Sequence, residues 1–163
     1  MVLLKKHITF KIVFYRYFLL GKPMTAVNTW NKSYERDIDS AVDKIWQAFI
    51  DTSNWSSWNS GVKSINLEGA FQSGVWFSME LPDGFTIRSQ LIDVVEHKHF
   101  IDETWIDTTR VRVEHRIEAL RPGYSKVIYA VSVEGPDAQS CGEGVSSDFP
   151  DLMEGLAKYL ANK

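Results

Sequence analysis

The sequence of 163 residues contains a single cysteine, Cys141, and lacks several common functional motifs. One cysteine excludes an intramolecular disulfide and gives no sign of an oxidising compartment, so we expect a cytoplasmic protein. Cys141 does not follow a strand-to-helix nucleophile turn, and no glycine-rich phosphate loop is present. Covalent catalysis and nucleotide binding by the usual motifs are therefore not indicated.

Basic charge is scarce outside the N-terminal segment. The chain has 18 Lys and Arg against 21 Asp and Glu, and residues 1–23 contain five of the basic residues and no acid. The remainder thus has 13 basic residues against all 21 acidic ones. The excess of acidic residues in this remainder argues against nucleic acid as the main partner.

Long uninterrupted hydrophobic runs are absent as well. Lys11 and Arg16 divide the apolar part of residues 1–23, which excludes a membrane-spanning helix and makes a poor signal peptide. A basic amphipathic membrane anchor is one interpretation of this segment. We favour the other, in which residues 1–23 are dispensable and a single domain occupies residues 24–163.

What the sequence does contain is an amphipathic helix at its C-terminus, predicted over residues 145–160. Its apolar residues recur at steps of three and four, as on one face of a helix. Pro150 predicts that the helix either starts near Asp148 or bends there. The apolar stripe comprises Val145, Phe149, Leu152, Met153, Leu156, Tyr159 and Leu160.

Strand-like segments fill most of the preceding chain. A first strand is predicted over residues 30–38, followed by a helix capped by Asp39 or Ser40 and by a short helical piece around Trp55 and Trp58. Six further strands follow, joined by turns short enough to make them antiparallel. They are predicted at residues 62–68, 74–81, 85–95, 100–106, 110–120 and 124–134.

This order resembles the START-like, Bet v 1-like superfamily, also called SRPBCC or polyketide cyclase/dehydrase-like proteins. The resemblance rests on residues 41–46, on Asp51 with Trp55 and Trp58-Asn59, on Leu67-Glu68-Gly69, on Val133-Glu134-Gly135-Pro136 and on Asp148-Phe149-Pro150. It covers residues 28–163. It implies an α+β helix-grip fold, in which a seven-stranded curved antiparallel sheet wraps around a long C-terminal helix, with two short helices between strands 1 and 2.

Alternation along the strands predicts which side chains face the interior. On strand 110–120, Val113 and His115 share the inward face, and the charged Arg110, Arg112 and Arg116 lie on a solvated outer face. The same parity places Tyr129 inward on the last strand. With Phe77, Met79, Phe149 and Met153 these inward residues form the predicted ligand site, whereas Trp46, Phe49, Trp55 and Trp58 are assigned to the core.

His115 is the candidate catalytic residue, because it is the ionisable side chain predicted inside. Its strand neighbours Val113 and Ile117 are apolar, which disfavours a charged imidazole. The alternative is a structural histidine bonded to a side chain such as that of Tyr129. His97 and His99 have no third ligand in the pattern, so we predict neither a metal site nor a cofactor.

Three functions remain open from the sequence. The leading hypothesis is binding of a small hydrophobic or aromatic molecule between sheet and helix, with a homodimer left open as the assembly. The second is a polyketide cyclase or dehydratase type of enzyme that uses His115 in proton transfer. The third is a module like the activators of the Hsp90 ATPase, which would use an outer surface. A second ionisable group beside His115 favours the enzyme, and a wholly apolar wall favours the carrier.

Overall fold

The computed structural model describes residues 28–163. Our prediction for residues 1–23, and for a domain start at Met24, lies outside the described residues. Within residues 28–163, no helix combines the length and apolar character needed to cross a bilayer.

Seven antiparallel strands form one curved sheet in the order β1-β7-β6-β5-β4-β3-β2. Strands β2 to β7 follow one another as a meander, and β1 returns to pair with β7. Irregular pairing near Leu91 in β4 and Ala119 in β6 helps to bend the sheet. The strands are β1 Asn28–Ile38, β2 Ser64–Leu67, β3 Trp76–Glu80, β4 Thr86–Val95, β5 His99–Ile106, β6 Thr109–Arg121 and β7 Tyr124–Gly135.

Within the described part of the chain, three α-helices and one 3-10 helix complete the fold. Helix α1 and the 3-10 helix lie between β1 and β2, and α2 and α3 follow β7. This is the helix-grip fold that the resemblance implies, and every predicted strand is present with bounds shifted by at most two residues. The helices are α1 Val42–Ile50, the 3-10 helix Thr52–Ser57, α2 Ala138–Ser146 and α3 Phe149–Ala161.

The core lies on the concave face of the sheet, where the helices pack. Its fully buried side chains include Ile45 and Phe49 from α1, Leu156 from α3, and Val127 and Val133 from β7. The outer face of β6 is charged and partly exposed, as predicted. Its arginines pair with glutamates of the same sheet. Alternation along the strands therefore separates the core from the surface.

The predicted cap of the first helix is wrong. Helix α1 starts at Val42 with Ala41 at its N-cap, and no side chain caps it. The carbonyl of Ser40 accepts a 2.8 Å hydrogen bond from the hydroxyl of Ser125 in β7. The hydroxyl of Ser40 is itself buried without a hydrogen-bond partner among residues 28–163, so it makes no capping bond.

The closing helix starts next to Asp148, which is one of the two outcomes predicted from Pro150, and a separate helix precedes it. Helix α2 contains Val145 and ends at Ser146, and α3 begins at Phe149 with Asp148 as N-cap and Pro150 in its first turn. Proline has no N–H, and its ring would clash with the carbonyl of Ser146 in a continuous helix. The break is therefore where Pro150 requires it.

Candidate functional site

A cavity of about 180 Å³ lies between the concave face of the sheet and the helices. Its floor is built from inward side chains of β3 to β7, and its opposite wall from the 3-10 helix and the junction of α2 and α3. The half-buried or exposed residues Asn59, Gly61, Ser147 and Asp148 border it between these last two segments. They mark the side on which the cavity opens to solvent.

Six of the seven predicted site residues line this cavity: Phe77, Met79, Val113, His115, Tyr129 and Phe149. Met153 does not, although it is buried with 2% of its surface exposed. Leu152 takes its place in the wall. Leu152 lies three residues after Phe149 and Met153 four, and both spacings place a side chain on the same face of a helix. Spacing alone therefore does not predict which of the two lines the cavity.

Trp55 and Trp58 have a second role beyond the core packing that the sequence predicts. Both are buried, and both also line the cavity. The indole Nε1 of Trp55 donates to the carbonyl of Phe49 at 2.9 Å. The Nε1 of Trp58 is buried and finds no acceptor among residues 28–163.

An aromatic row crosses the sheet at the level of His115. Strand pairing places Phe100 of β5 and Tyr129 of β7 directly opposite His115 of β6, on either side. The imidazole stacks on Phe100 with ring centres 4.1 Å apart, and it meets Tyr129 edge to face at 4.3 Å. His115 is thereby fixed in orientation by its neighbours.

The hydrogen-bond partner of His115 is Asp102, a residue that the sequence analysis missed. His115 Nε2 lies 2.8 Å from Asp102 Oδ2, and the two side chains are only 12% and 15% exposed. Both line the cavity. Tyr129 as the predicted hydrogen-bond partner is therefore wrong, and the buried, aromatic setting of the imidazole contains a carboxylate that was not predicted.

The direction of the hydrogen bond between His115 and Asp102 follows from the chemistry of the carboxylate. An ionised Asp102 can only accept, so Nε2 of His115 carries the proton of this bond. The other ring nitrogen, Nδ1, is buried without a hydrogen-bond partner in the described part of the chain. Nδ1 is therefore the position at which the ring still lacks a hydrogen bond.

Tyr129 adds a phenol beside this pair. Burial, and then the negative charge of Asp102, raise the pKa of Tyr129 well above its usual value. Its hydroxyl group therefore keeps its proton throughout the physiological range. Further along the wall, the hydroxyls of Ser89 and Thr104 bond each other at 2.6 Å, so they are already satisfied.

Cys141 lies outside the cavity wall, in α2. It is fully buried, and burial together with the nearby charge of Asp137 raises its pKa to about 11. The thiolate, which is the reactive form, is therefore scarce at neutral pH. The residue packs as a small apolar side chain.

No protein-family model and no curated protein sequence matches the chain. Solved structures do. The Mesorhizobium loti protein MLL2253 superposes with a TM-score of 0.70 at 17% identity, over 82% of this chain and 98% of the other. Norcoclaurine synthase from Thalictrum flavum, in complex with dopamine and hydroxybenzaldehyde, gives a TM-score of 0.69 at 11% identity over 88% and 95%.

A START superfamily protein from Mycobacterium smegmatis is also similar, with a TM-score of 0.66 at 12% identity over 81% of this chain and 97% of that one. At such identities the likeness is one of fold. Enzymes and proteins of other kinds share it, so the fold by itself assigns no activity. The chain has the helix-grip fold of the START-like, Bet v 1-like proteins.

Proposed function

We propose that the protein binds a small, mainly apolar molecule, about the size of one substituted aromatic ring, in the cavity between the sheet and the helix junction. The observation that carries the proposal is the cavity itself. Its wall is predominantly apolar and aromatic and contains a few polar groups, among them Asp102 and His115. Pockets for small ligands commonly combine an apolar wall with a few placed polar groups.

The size of the cavity supports a small ligand. Its volume of about 180 Å³ is close to the roughly 150 Å³ of an engineered apolar cavity that takes up benzene. Long acyl chains are poorly matched to this volume. The solved neighbours support the reading only through their fold, which also houses the dopamine and hydroxybenzaldehyde complex of norcoclaurine synthase.

Filling the cavity tests the proposal. We expect 2-phenylethanol to bind the full chain in isothermal titration calorimetry and Met79→Trp to weaken that binding at least tenfold, since Met79 lines the wall. Ser78→Trp is the matched control, because the adjacent residue on a strand points to the opposite face. Equal affinity in a folded Met79→Trp protein and in the control would place the ligand elsewhere.

The Asp102–His115 pair favours a second candidate function, an enzyme that moves a proton. A carboxylate backed by a histidine N–H, beside a phenol that stays protonated, offers a base and an acid in one apolar cavity. Such a site suits proton abstraction next to a carbonyl group, with Asp102 taking the proton and Tyr129 donating to the oxygen.

Hydrogen–deuterium exchange at the methyl group of acetophenone, followed by NMR, tests this second candidate. We expect the unmodified chain to accelerate the exchange over buffer and Asp102→Asn to remove the acceleration. Exchange at the buffer rate in a protein that binds acetophenone leaves binding as the function.

A further inference from the structure

We propose that the natural ligand carries a positively charged nitrogen and that Asp102 receives it. This inference rests on the proposed binding function and deepens it by naming the chemical class of the ligand. It starts from the charge of the cavity wall. Within residues 28–163, the wall contains the acids Asp102 and Asp148, and it contains neither Lys nor Arg.

His115 engages only one oxygen of the Asp102 carboxylate. Its Nε2 lies 2.8 Å from Oδ2, and Oδ1 takes no part in this bond. Because the carboxylate is only 15% exposed, its desolvation is costly, and an arriving cation that donates to Oδ1 offsets part of that cost.

The surroundings of Asp102 suit a cation as well. Phe100 lies two residues before Asp102 on the same face of β5. Tyr129 is near enough for the charge of Asp102 to raise its pKa. Trp55 stacks on Phe100 with ring centres 6.2 Å apart and shares the wall. These aromatic side chains keep the surroundings of Asp102 poorly hydrated, and its attraction for a cation is stronger there than in water.

The same features exclude acids. A ligand carboxylate in this cavity would meet Asp102 without any Lys or Arg to compensate, and like charges in a poorly hydrated site repel strongly. A small aromatic or aliphatic amine fits the wall, whereas a fatty or aromatic acid does not. The site therefore selects by charge among molecules of equal size.

Three probes on one skeleton test the inference in the unmodified full chain by isothermal titration calorimetry at pH 7: 2-phenylethylammonium, 2-phenylethanol and phenylacetate. We expect the ammonium to bind at least tenfold more tightly than the alcohol, and phenylacetate to bind at least tenfold more weakly than the alcohol. Equal affinity of ammonium and alcohol overturns the inference and leaves the binding function standing. If none of the three binds, the proposed function itself fails.

A variant pair then assigns the effect to Asp102. Asp102→Asn keeps the shape and removes the charge, so the ratio of ammonium affinity to alcohol affinity should fall from at least tenfold to about one. Glu103→Gln is the matched control: Glu103 lies on the outer face, where it accepts from Arg112 at 2.7 Å, and the preference should persist. A preference that survives in folded Asp102→Asn shows that another group receives the cation. Should Asp102→Asn not fold, the three-probe comparison still decides on the ligand class.

Discussion

The inner faces of β7 and β3 belong to one sheet, yet they contribute differently to the core and to the cavity. On β7, Tyr129 lines the cavity, but Val127, Val131 and Val133 are buried core residues outside its wall. On β3, by contrast, the inward Phe77 and Met79 both line the cavity. The comparison shows that strand pattern decides which side chains face inward, and that the covering helices decide which of those become a site.

Geometry explains the difference. Seven strands at about 4.8 Å spacing make a sheet nearly 30 Å wide, whereas one helix with its side chains covers only about 10 Å. Helix α2 packs on β1 and β7, and α1 packs on β6. The inner face of β3 and β4 meets the cavity instead. The site is the part of the concave face on which the 3-10 helix and the junction of α2 and α3 do not pack tightly, so that a cavity remains between them.

Two leucines of α3 provide the sharpest test of this comparison. Leu156 is fully buried in the core, and Leu152 borders the cavity. We expect Leu156→Ala to lower the free energy of unfolding by about 3–4 kcal/mol, and Leu152→Ala by only about 1–2 kcal/mol because part of its side chain already faces open space. Urea denaturation measures both. Equal losses would mean that the cavity is as tightly packed as the core.

Gly155 tests whether α3 also positions the cavity wall. A Cβ at this position would overlap the carbonyl oxygen of Trp58. Gly155→Ala should therefore cost about 2–3 kcal/mol, although Ala normally stabilises a helix interior by up to about 1 kcal/mol over Gly. Thermal and urea unfolding, with Lys158→Ala on the exposed face as control, measure this cost. A stabilised Gly155→Ala protein would contradict the close approach.

The pH dependence of stability tests whether Cys141 lies in the packed core. Its thiol has a pKa of about 11 in the fold against an ordinary value of 9.0. The unfolded chain therefore loses this proton first, and stability should decline between pH 9 and 11 by up to about 2 kcal/mol more than in Cys141→Ala. Urea unfolding across this range gives the two curves. Parallel curves for the two proteins would show that the thiol is not buried.

Ser89 provides the smallest expected effect, on the cavity side. Ser89→Ala removes a 2.6 Å hydrogen bond and leaves the hydroxyl of Thr104 without it, which should cost about 1 kcal/mol. The outward Ser78→Ala should change stability by less than about 0.5 kcal/mol. A cost for Ser89→Ala as small as that of Ser78→Ala would indicate that solvent in the cavity replaces the lost bond.

The contrast between His115 and Asp102 shows how far sequence reasoning reaches. Charged and apolar residues alternate cleanly along β6, so His115 could be placed inside. On β5 both faces carry apolar residues, and the structure turns Asp102 inward while Trp105 is 54% exposed. Alternation therefore does not predict which side chains of β5 face inward. The pairing register does, because Asp102 pairs with the inward Val113.

The break between α2 and α3 was foreseen only in part for a similar reason. Pro150 predicted an interruption, but the residues of α2, which include Gly142 and Gly144, have weak helical signals of their own. Gly142 is needed for packing, since a Cβ there would overlap the ring of Trp30 in β1. Long-range contacts of this kind cannot be inferred from local spacing.

The pairing of β1 with β7 also sets an order in time. Asn28 pairs with Gly135 and Ile38 with Ser125, so roughly a hundred residues separate the two strands in the chain. At about 5–20 residues per second, a ribosome that has made β1 needs some 5–20 s to supply its partner. The hairpins of β2 to β6 close over short loops and need not wait for β7. The first strand to be synthesised therefore cannot enter the sheet before the last strand has been made.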